Sequence, residues 1–375
     1  MRKRRFVLCC FAVGMLLCAC GEEGKEVSGT RVETEGQKMD KGAETETESK
    51  EETTKEETTK EEKEEEKQDF PQIVSEEEIV DYGNVVRVGN QAFELYTYSE
   101  DKASQYAQII NRIQDKLEGK AKVYDLIVPT GAGILFPDNY KDRVNNSDQK
   151  EAIKSIQNKL EEGITLVNPY DNLMKHRSEY IYFRTDHHWT ARGAYYAYET
   201  FCEEKNIAAN PLGGYKKKDY DGFLGSFFKD TNEAPELKKT PDFIETFQPL
   251  SANATLHVAQ AQGMEPYDWQ IIHDVTNYGS GLKYSTFIAG DNPLTEITNP
   301  DSEKENACVV VKESYANAMI PFLVDHYRKI YVIDYRYWTG DLASYALQKN
   351  VEDVILINNL SMTRSNYLLG QLSKL

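Results

Sequence analysis

From residue 70 onward, apolar and polar positions follow two rhythms, one of period two and one near 3.6, and the elements follow from which rhythm holds where. Residues 85–88 and 92–98 alternate like strands and read as a short hairpin. Tyr106, Ile109, Ile110, Ile113 and Leu117 then recur at helical spacing within 102–117, and 123–128 is a strand stopped by Pro129. A polar-capped helix is expected over about 148–160 and a strand over 164–167. The C-terminal third repeats this order, with strands at 307–311, 329–333 and 354–357 separated by helices at 316–326 and 342–348. Strands that are apolar throughout and joined by short helical crossovers predict an α/β fold, a parallel sheet covered by helices. Between 211 and 306 the pattern loosens. Glycine-flanked aromatic stretches such as Gly222-Phe223-Leu224-Gly225-Ser226-Phe227-Phe228 read there as a strand-rich insertion and loops shaping a cleft.

The first 69 residues follow neither rhythm. Arg2, Lys3, Arg4 and Arg5 precede an apolar stretch, Phe6 to Leu17, that is too short for a stable membrane helix, so 1–19 reads as an export signal. Its end, Leu17-Cys18-Ala19-Cys20-Gly21, resembles a bacterial lipobox, which makes Cys20 the expected site of a diacylglycerol and the new N-terminus. The protein is therefore expected to be lipid-anchored at the extracytoplasmic face of a bacterial cell membrane. Residues 22–69 hold 19 acids and 9 bases, no aromatic residue, and the near repeat Lys-Glu-Glu-Thr-Thr at 50–54 and 55–59. Such a segment buries too little apolar surface to offset its ordering entropy, so 20–69 is expected to be a disordered tether reaching on the order of 40 Å. The folded domain is then 70–375.

Charge and cysteine content narrow the function classes. Residues 70–375 carry 43 acids against 31 bases, which argues against a nucleic-acid partner and against an anionic substrate held by charge alone. No apolar run beyond residue 20 reaches the ~18 residues needed to span a bilayer. With the signal removed and Cys20 modified, Cys202 and Cys308 remain of the six cysteines, too few for a cysteine-rich zinc module. A disulfide between them in an oxidising compartment is left open.

The strongest local signal is Tyr182-Phe183-Arg184-Thr185-Asp186-His187-His188-Trp189-Thr190, ahead of a helix expected over 191–202. A histidine acting as general base needs an acceptor to set its tautomer, and Asp186, two residues from His188, supplies one. Two other readings stand beside this one: a metal site, and a capped helix start with a structural Trp189. A nucleophile is placed by the strand 307–311, which runs into a helix with Ser314 at the turn, where helix N-terminal amides can hold an oxyanion. Ser314 also suits a helix N-cap. A second strand end, Phe287-Ile288-Ala289-Gly290-Asp291-Asn292-Pro293, offers the Gly290 amide and the Asn292 side chain to complete the hole, or else forms a plain turn.

Asp186-His187-His188-Trp189 resembles the tetrad that names the DHHW protein family. Arg184-Thr185, Lys312-Glu313-Ser314-Tyr315, Ile320-Pro321-Phe322-Leu323, His326-Tyr327 and Ile333-Asp334-Tyr335-Arg336-Tyr337 are similar to that family too, so the likeness spans most of 75–375. The family is in turn similar to the SGNH-hydrolase-like domains of the alginate O-acetyltransferases AlgJ and AlgX, where an Asp-x-His pair precedes a late serine. The resemblance implies an SGNH-hydrolase-like fold with Ser314 as nucleophile, His188 as base and Asp186 as its orienting carboxylate, and His187 secondary. It implies more weakly Gly290 and Asn292 as oxyanion donors and Tyr315 and Arg336 as cleft residues. Glu313 stands where many relatives would have aspartate. The implied activity is O-acetylation of a secreted or cell-wall polysaccharide through an acetyl-serine, with a membrane-bound O-acyltransferase as acetyl source and neither cofactor nor metal. An acetylesterase, a silent carbohydrate-binding lipoprotein and a metal-dependent phosphoesterase of the DHH type are the alternatives.

Overall fold

The computed structural model describes residues 70–375, so the expected signal, the Cys20 anchor and the tether lie outside the described residues. In chain order the strands are β1 (Ile79–Asp81), β2 (Val85–Val88), β3 (Gln91–Glu94), β4 (Lys122–Val128), β5 (Ile164–Val167), β6 (Lys216–Phe223) and β7 (Asp242–Gln248). They continue as β8 (Thr255–Gln260), β9 (Tyr267–Trp269), β10 (Leu294–Thr298), β11 (Ala307–Lys312), β12 (Lys329–Asp334) and β13 (Asp353–Asn359). Eight of them form one sheet in the order β5-β4-β13-β11-β12-β10-β8-β9. The first five pair in parallel, and β10, β8 and β9 continue the sheet antiparallel.

The parallel strands are buried on both faces because each sends alternate side chains to opposite layers. Val309 and Val311 of β11 and Val354 and Leu356 of β13 pack with the Glu100–Leu117 helix through Tyr106, Ile110 and Ile113. Val310, Ile355 and Ile357 pack on the other face with the Ala191–Glu204 helix through Ala194, Tyr198 and Phe201. No helix among the described residues is long and apolar enough to cross a membrane.

Three elements differ from the expectation. The 211–306 insertion is strand-rich as expected, but only β6 and β7 form their own hairpin, while β8, β9 and β10 extend the main sheet. The helix expected over 316–326 breaks into a 3-10 turn Ser314–Ala318, a short helix Ile320–Leu323 and a second turn Val324–His326. Pro321 has no N–H to continue a helix from the preceding turn. A C-terminal helix, Asn366–Leu372, closes the chain where no element was expected. Cys202 and Cys308 are free, buried thiols, with Cys202 near His326.

One interior polar group makes a stability prediction. Asp125 on β4 is fully buried, accepts a bond from the Tyr106 hydroxyl and leaves Oδ2 without a partner among the described residues. Burial pushes its carboxyl from 3.8 up to about 7. Between those values the folded state keeps a proton that the unfolded state has released, so this group's stabilising contribution falls as pH rises through that window and is gone above it. Asp125→Asn is therefore expected to be more stable than the parent at pH 8 by about 2 kcal/mol, a few degrees in Tm, with the gain vanishing near pH 4. Thermal melts of both proteins from pH 4 to 8 check this; a pH-independent difference contradicts it.

Candidate active site

Ser314 stands at the carboxyl edge of the parallel strands. β11 ends at Lys312, and Glu313 caps the following 3-10 turn by accepting the Tyr315 N–H at 3.1 Å on Oε2. Glu313 Oε1 accepts the Asn359 N–H at the end of β13 at 3.0 Å, so two adjacent strand ends are tied beneath the serine. The Ser314 hydroxyl is partly accessible and lies 3.3 Å from Glu313 Oε2.

The histidines arrive on a loop whose ends are joined by an antiparallel bridge between Tyr182 and Trp189. Asp242, the first residue of β7, holds that loop from below. Its fully buried carboxylate accepts from the Arg184 and Thr185 backbone amides at 3.1 and 2.8 Å, the Thr185 hydroxyl at 2.6 Å, Arg184 Nε at 3.1 Å and the Tyr180 hydroxyl at 2.6 Å. Trp189, with no exposed surface, donates its indole N–H to the Tyr315 carbonyl at 2.8 Å. Tyr315 in turn donates its hydroxyl to the His187 carbonyl. These bonds lock the histidine loop to the serine turn.

Within that clamp, His188 Nδ1 lies 2.6 Å from Asp186 Oδ1, and His188 Nε2 lies 2.8 Å from Ser314 Oγ. An ionised carboxylate only accepts, so Nδ1 carries the proton and Nε2 is left to accept the serine hydroxyl. Asp186 Oδ1 also accepts the His188 N–H at 3.0 Å, and Oδ2 accepts the Ser226 N–H at 2.8 Å. Burial alone would raise the Asp186 carboxyl, but His188, His187 and these donors outweigh it and hold it well below the usual carboxylate range. Gly225 makes the close approach of Ser226 feasible, because a Cβ there would lie 2.1 Å from Asp186 Oδ2. Tyr284 stacks on the His188 ring at 4.1 Å between centroids and donates its hydroxyl to the Ser314 carbonyl at 3.1 Å.

His187 turns the other way. Its Nδ1 lies 2.7 Å from Ser226 Oγ, and burial beside His188 lowers its pKa from the ordinary histidine value. Among the described residues, Asp186, His187 and His188 each bring a ligand atom within 4.8 Å of the others and so form a group that could hold a metal ion, although Asp186 Oδ1 and His188 Nδ1 face each other.

Two expected oxyanion donors are corrected. Ile288, Ala289 and Gly290 adopt left-handed φ values of 48, 61 and 75°, a turn costing about 1–2 kcal/mol per non-glycine residue, which directs the Gly290 N–H to the Phe287 carbonyl at 2.8 Å. The Asn292 amide donates to the Ala289 carbonyl at 3.0 Å, so the plain-turn reading describes this segment better. The residue that matters there is Asp291. It joins buried Lys312, at 2.7 Å, and Arg336, at 2.9 Å, in a network completed by Asp334 and Asn317. Arg336 lines the 350 Å³ cavity that holds Ser314. Tyr315 also reaches that cavity, but its ring is buried and its polar atoms are engaged in the clamp. Ser226, Asp242 and Tyr284 were not legible as site residues; Gly225-Ser226 was visible only as part of a glycine-flanked aromatic stretch.

Comparison with known proteins finds solved structures of similar fold. No curated protein matches the chain. Among solved structures, a DHHW family protein from Eubacterium siraeum aligns at 27% identity with a TM-score of 0.69, covering 79% of this chain and 98% of that one. Bacillus cereus PatB1 with a sulfonyl adduct aligns at 16% identity and TM-score 0.64, covering 77% and 99%. The O-acetyltransferase domain of Pseudomonas putida AlgJ aligns at 13% identity and TM-score 0.42, covering 76% and 96%. The profile described as DHHW protein matches residues 35–333, a span that includes the tetrad, its Asp242 anchor and the Ser314 turn. The chain belongs to the DHHW protein family.

Proposed function

We propose that this protein is a membrane-anchored, extracytoplasmic O-acetyltransferase that modifies a secreted or cell-wall polysaccharide through an acetyl-serine intermediate. The observation that carries the reading is the unbroken chain Ser314 Oγ, His188, Asp186, with links of 2.8 and 2.6 Å. In the first half-reaction Ser314 Oγ attacks the carbonyl of an activated acetyl ester or thioester while His188 Nε2 takes its proton. Asp186 stabilises the imidazolium through Nδ1–H, and the proton then passes to the leaving group. The Ser314 amide, first in its 3-10 turn, is the proposed oxyanion donor. In the second half-reaction a sugar hydroxyl attacks the acetyl carbonyl, its proton passes through His188, and Ser314 Oγ is regenerated.

The fold shared with PatB1 is consistent with this chemistry, since the sulfonyl adduct recorded for that protein is the kind of species a nucleophile forms with a sulfonyl reagent. In this reading a lipid on Cys20 and the 22–69 tether hold the domain near a membrane-bound O-acyltransferase that supplies the acetyl group.

Intact-mass spectrometry of the protein after exposure to an aryl acetate tests the reading. One acetyl addition, mapped to Ser314, is expected. An unmodified Ser314, with aryl release no faster than in buffer, would move the assignment to a carbohydrate-binding lipoprotein.

A further inference from the structure

A second cavity, of about 590 Å³, opens beside the one that holds Ser314, and the two share Glu94 and His187 as lining residues. Its walls come from the β1–β3 sheet and the Ser226–Asp230 helix, through Tyr82, Asn84, Glu94, Phe227 and Asp230. The volume suits a sugar ring or two. An aromatic ring, a carboxamide and carboxylates are the groups that stack on a pyranose and accept its hydroxyls.

The charge on these walls is one-sided. Among the described residues, no lysine or arginine lines this cavity. Glu94 is paired with Arg364 at 3.4 Å, but the Asp230 carboxylate has neither ion pair nor hydrogen bond among the described residues. Partial burial raises its pKa, with His187 acting against that rise and Glu94 adding to it. His187, with Nδ1 on Ser226, has no partner on Nε2 among the described residues, and its half-buried side chain lines both cavities.

We infer that the 590 Å³ cavity is the acceptor subsite, that it takes a neutral or amine-bearing sugar and excludes uronic acids, and that His187 orients the attacking hydroxyl at its junction with Ser314. The inference rests on the acetyl-serine reading above. The acceptor oxygen bonds to the acetyl carbon, the bond to Ser314 Oγ breaks, and the proton released by the hydroxyl reaches Ser314 through His188. His187 supplies position and undergoes no net change.

The test offers acetylated protein three oligosaccharides of equal length: a chitooligosaccharide, its de-N-acetylated form and an oligogalacturonate. Acetyl transfer is read by acceptor mass, and binding of each to the unmodified protein by saturation-transfer NMR. Transfer to the first two is expected to exceed transfer to the galacturonate by about tenfold or more, with binding in the same order. Asp230→Lys, at an exposed position, is expected to move that ratio toward the galacturonate by about tenfold. His187→Asn is expected to lower the ratio of transfer to hydrolysis of the acetyl-enzyme by a similar factor. Equal use of all three sugars, hydrolysis with no transfer, or an Asp230→Lys protein with the parental ratio would overturn the inference. If no acetyl-enzyme forms, the chemistry above fails, and the NMR order still decides the subsite.

Discussion

Ser314→Ala and His188→Ala are each expected to lower aryl-acetate turnover by on the order of 10⁴-fold or more, and the double variant is expected to lose no more than either alone. In the proposed mechanism the serine has no strong nucleophilicity of its own and relies on His188 Nε2, 2.8 Å away, to take its proton. Removing either ends the same step, so the losses do not add. Asp186→Asn should cost somewhat less, roughly 10³-fold or more, by a different route. Its carboxamide can present N–H to His188 Nδ1, reversing the tautomer and pointing a proton at Ser314. Turnover of the four variants and their acetyl content by mass measure the pattern. Additive losses in the double variant would show that the two residues serve separate steps.

Asp242→Ala should have the largest effect on folding, a destabilisation of about 3–5 kcal/mol. The carboxylate is fully buried and accepts from five groups, two of them backbone amides of the histidine loop. Alanine leaves those donors and the Arg184 charge without their acceptor in the interior. Asp242→Asn retains one acceptor oxygen and should lose roughly half as much. Urea unfolding followed by tyrosine and tryptophan fluorescence measures both, and a shift below about 0.5 kcal/mol for the alanine variant would mean the loop holds itself. Because the same loop carries Asp186 and His188, turnover should fall in Asp242→Ala even in the fraction that stays folded.

The elements with strict periodicity were the most legible. The Leu342–Gln348 helix and β5 occur at the limits their patterns suggest, and the parallel core strands are found within a few residues. The 316–326 segment misled because it is apolar nearly throughout, and burial on all sides removes the polar face that distinguishes a helix from a chain of turns. Within 211–306 the strand content was legible but the sheet it joins was not, since β8 and β9 are short and half-exposed and their membership in the sheet depends on β10 beside them. Among candidate site residues, Asp186 and His188 were legible as an acid near a base, and Ser314 as a polar residue following a buried strand. Asp242 and Tyr284 were not, because their local sequence is that of an ordinary strand start and an ordinary loop aromatic.

The chemical types available to this protein, and the strand ends and loops they occupy, are local properties: side-chain period, turn residues and one unusual tetrad carry them. Which of those groups meet is not local. His188 and Ser314 are 126 residues apart, and their 2.8 Å contact depends on Trp189, Tyr315, Tyr284 and Asp242 holding two loops against one sheet edge. The Gly290 amide shows the converse, a donor suited in type but turned away by three left-handed residues. Direction at that scale follows from backbone torsions and packing summed over the whole fold, which no window of sequence contains.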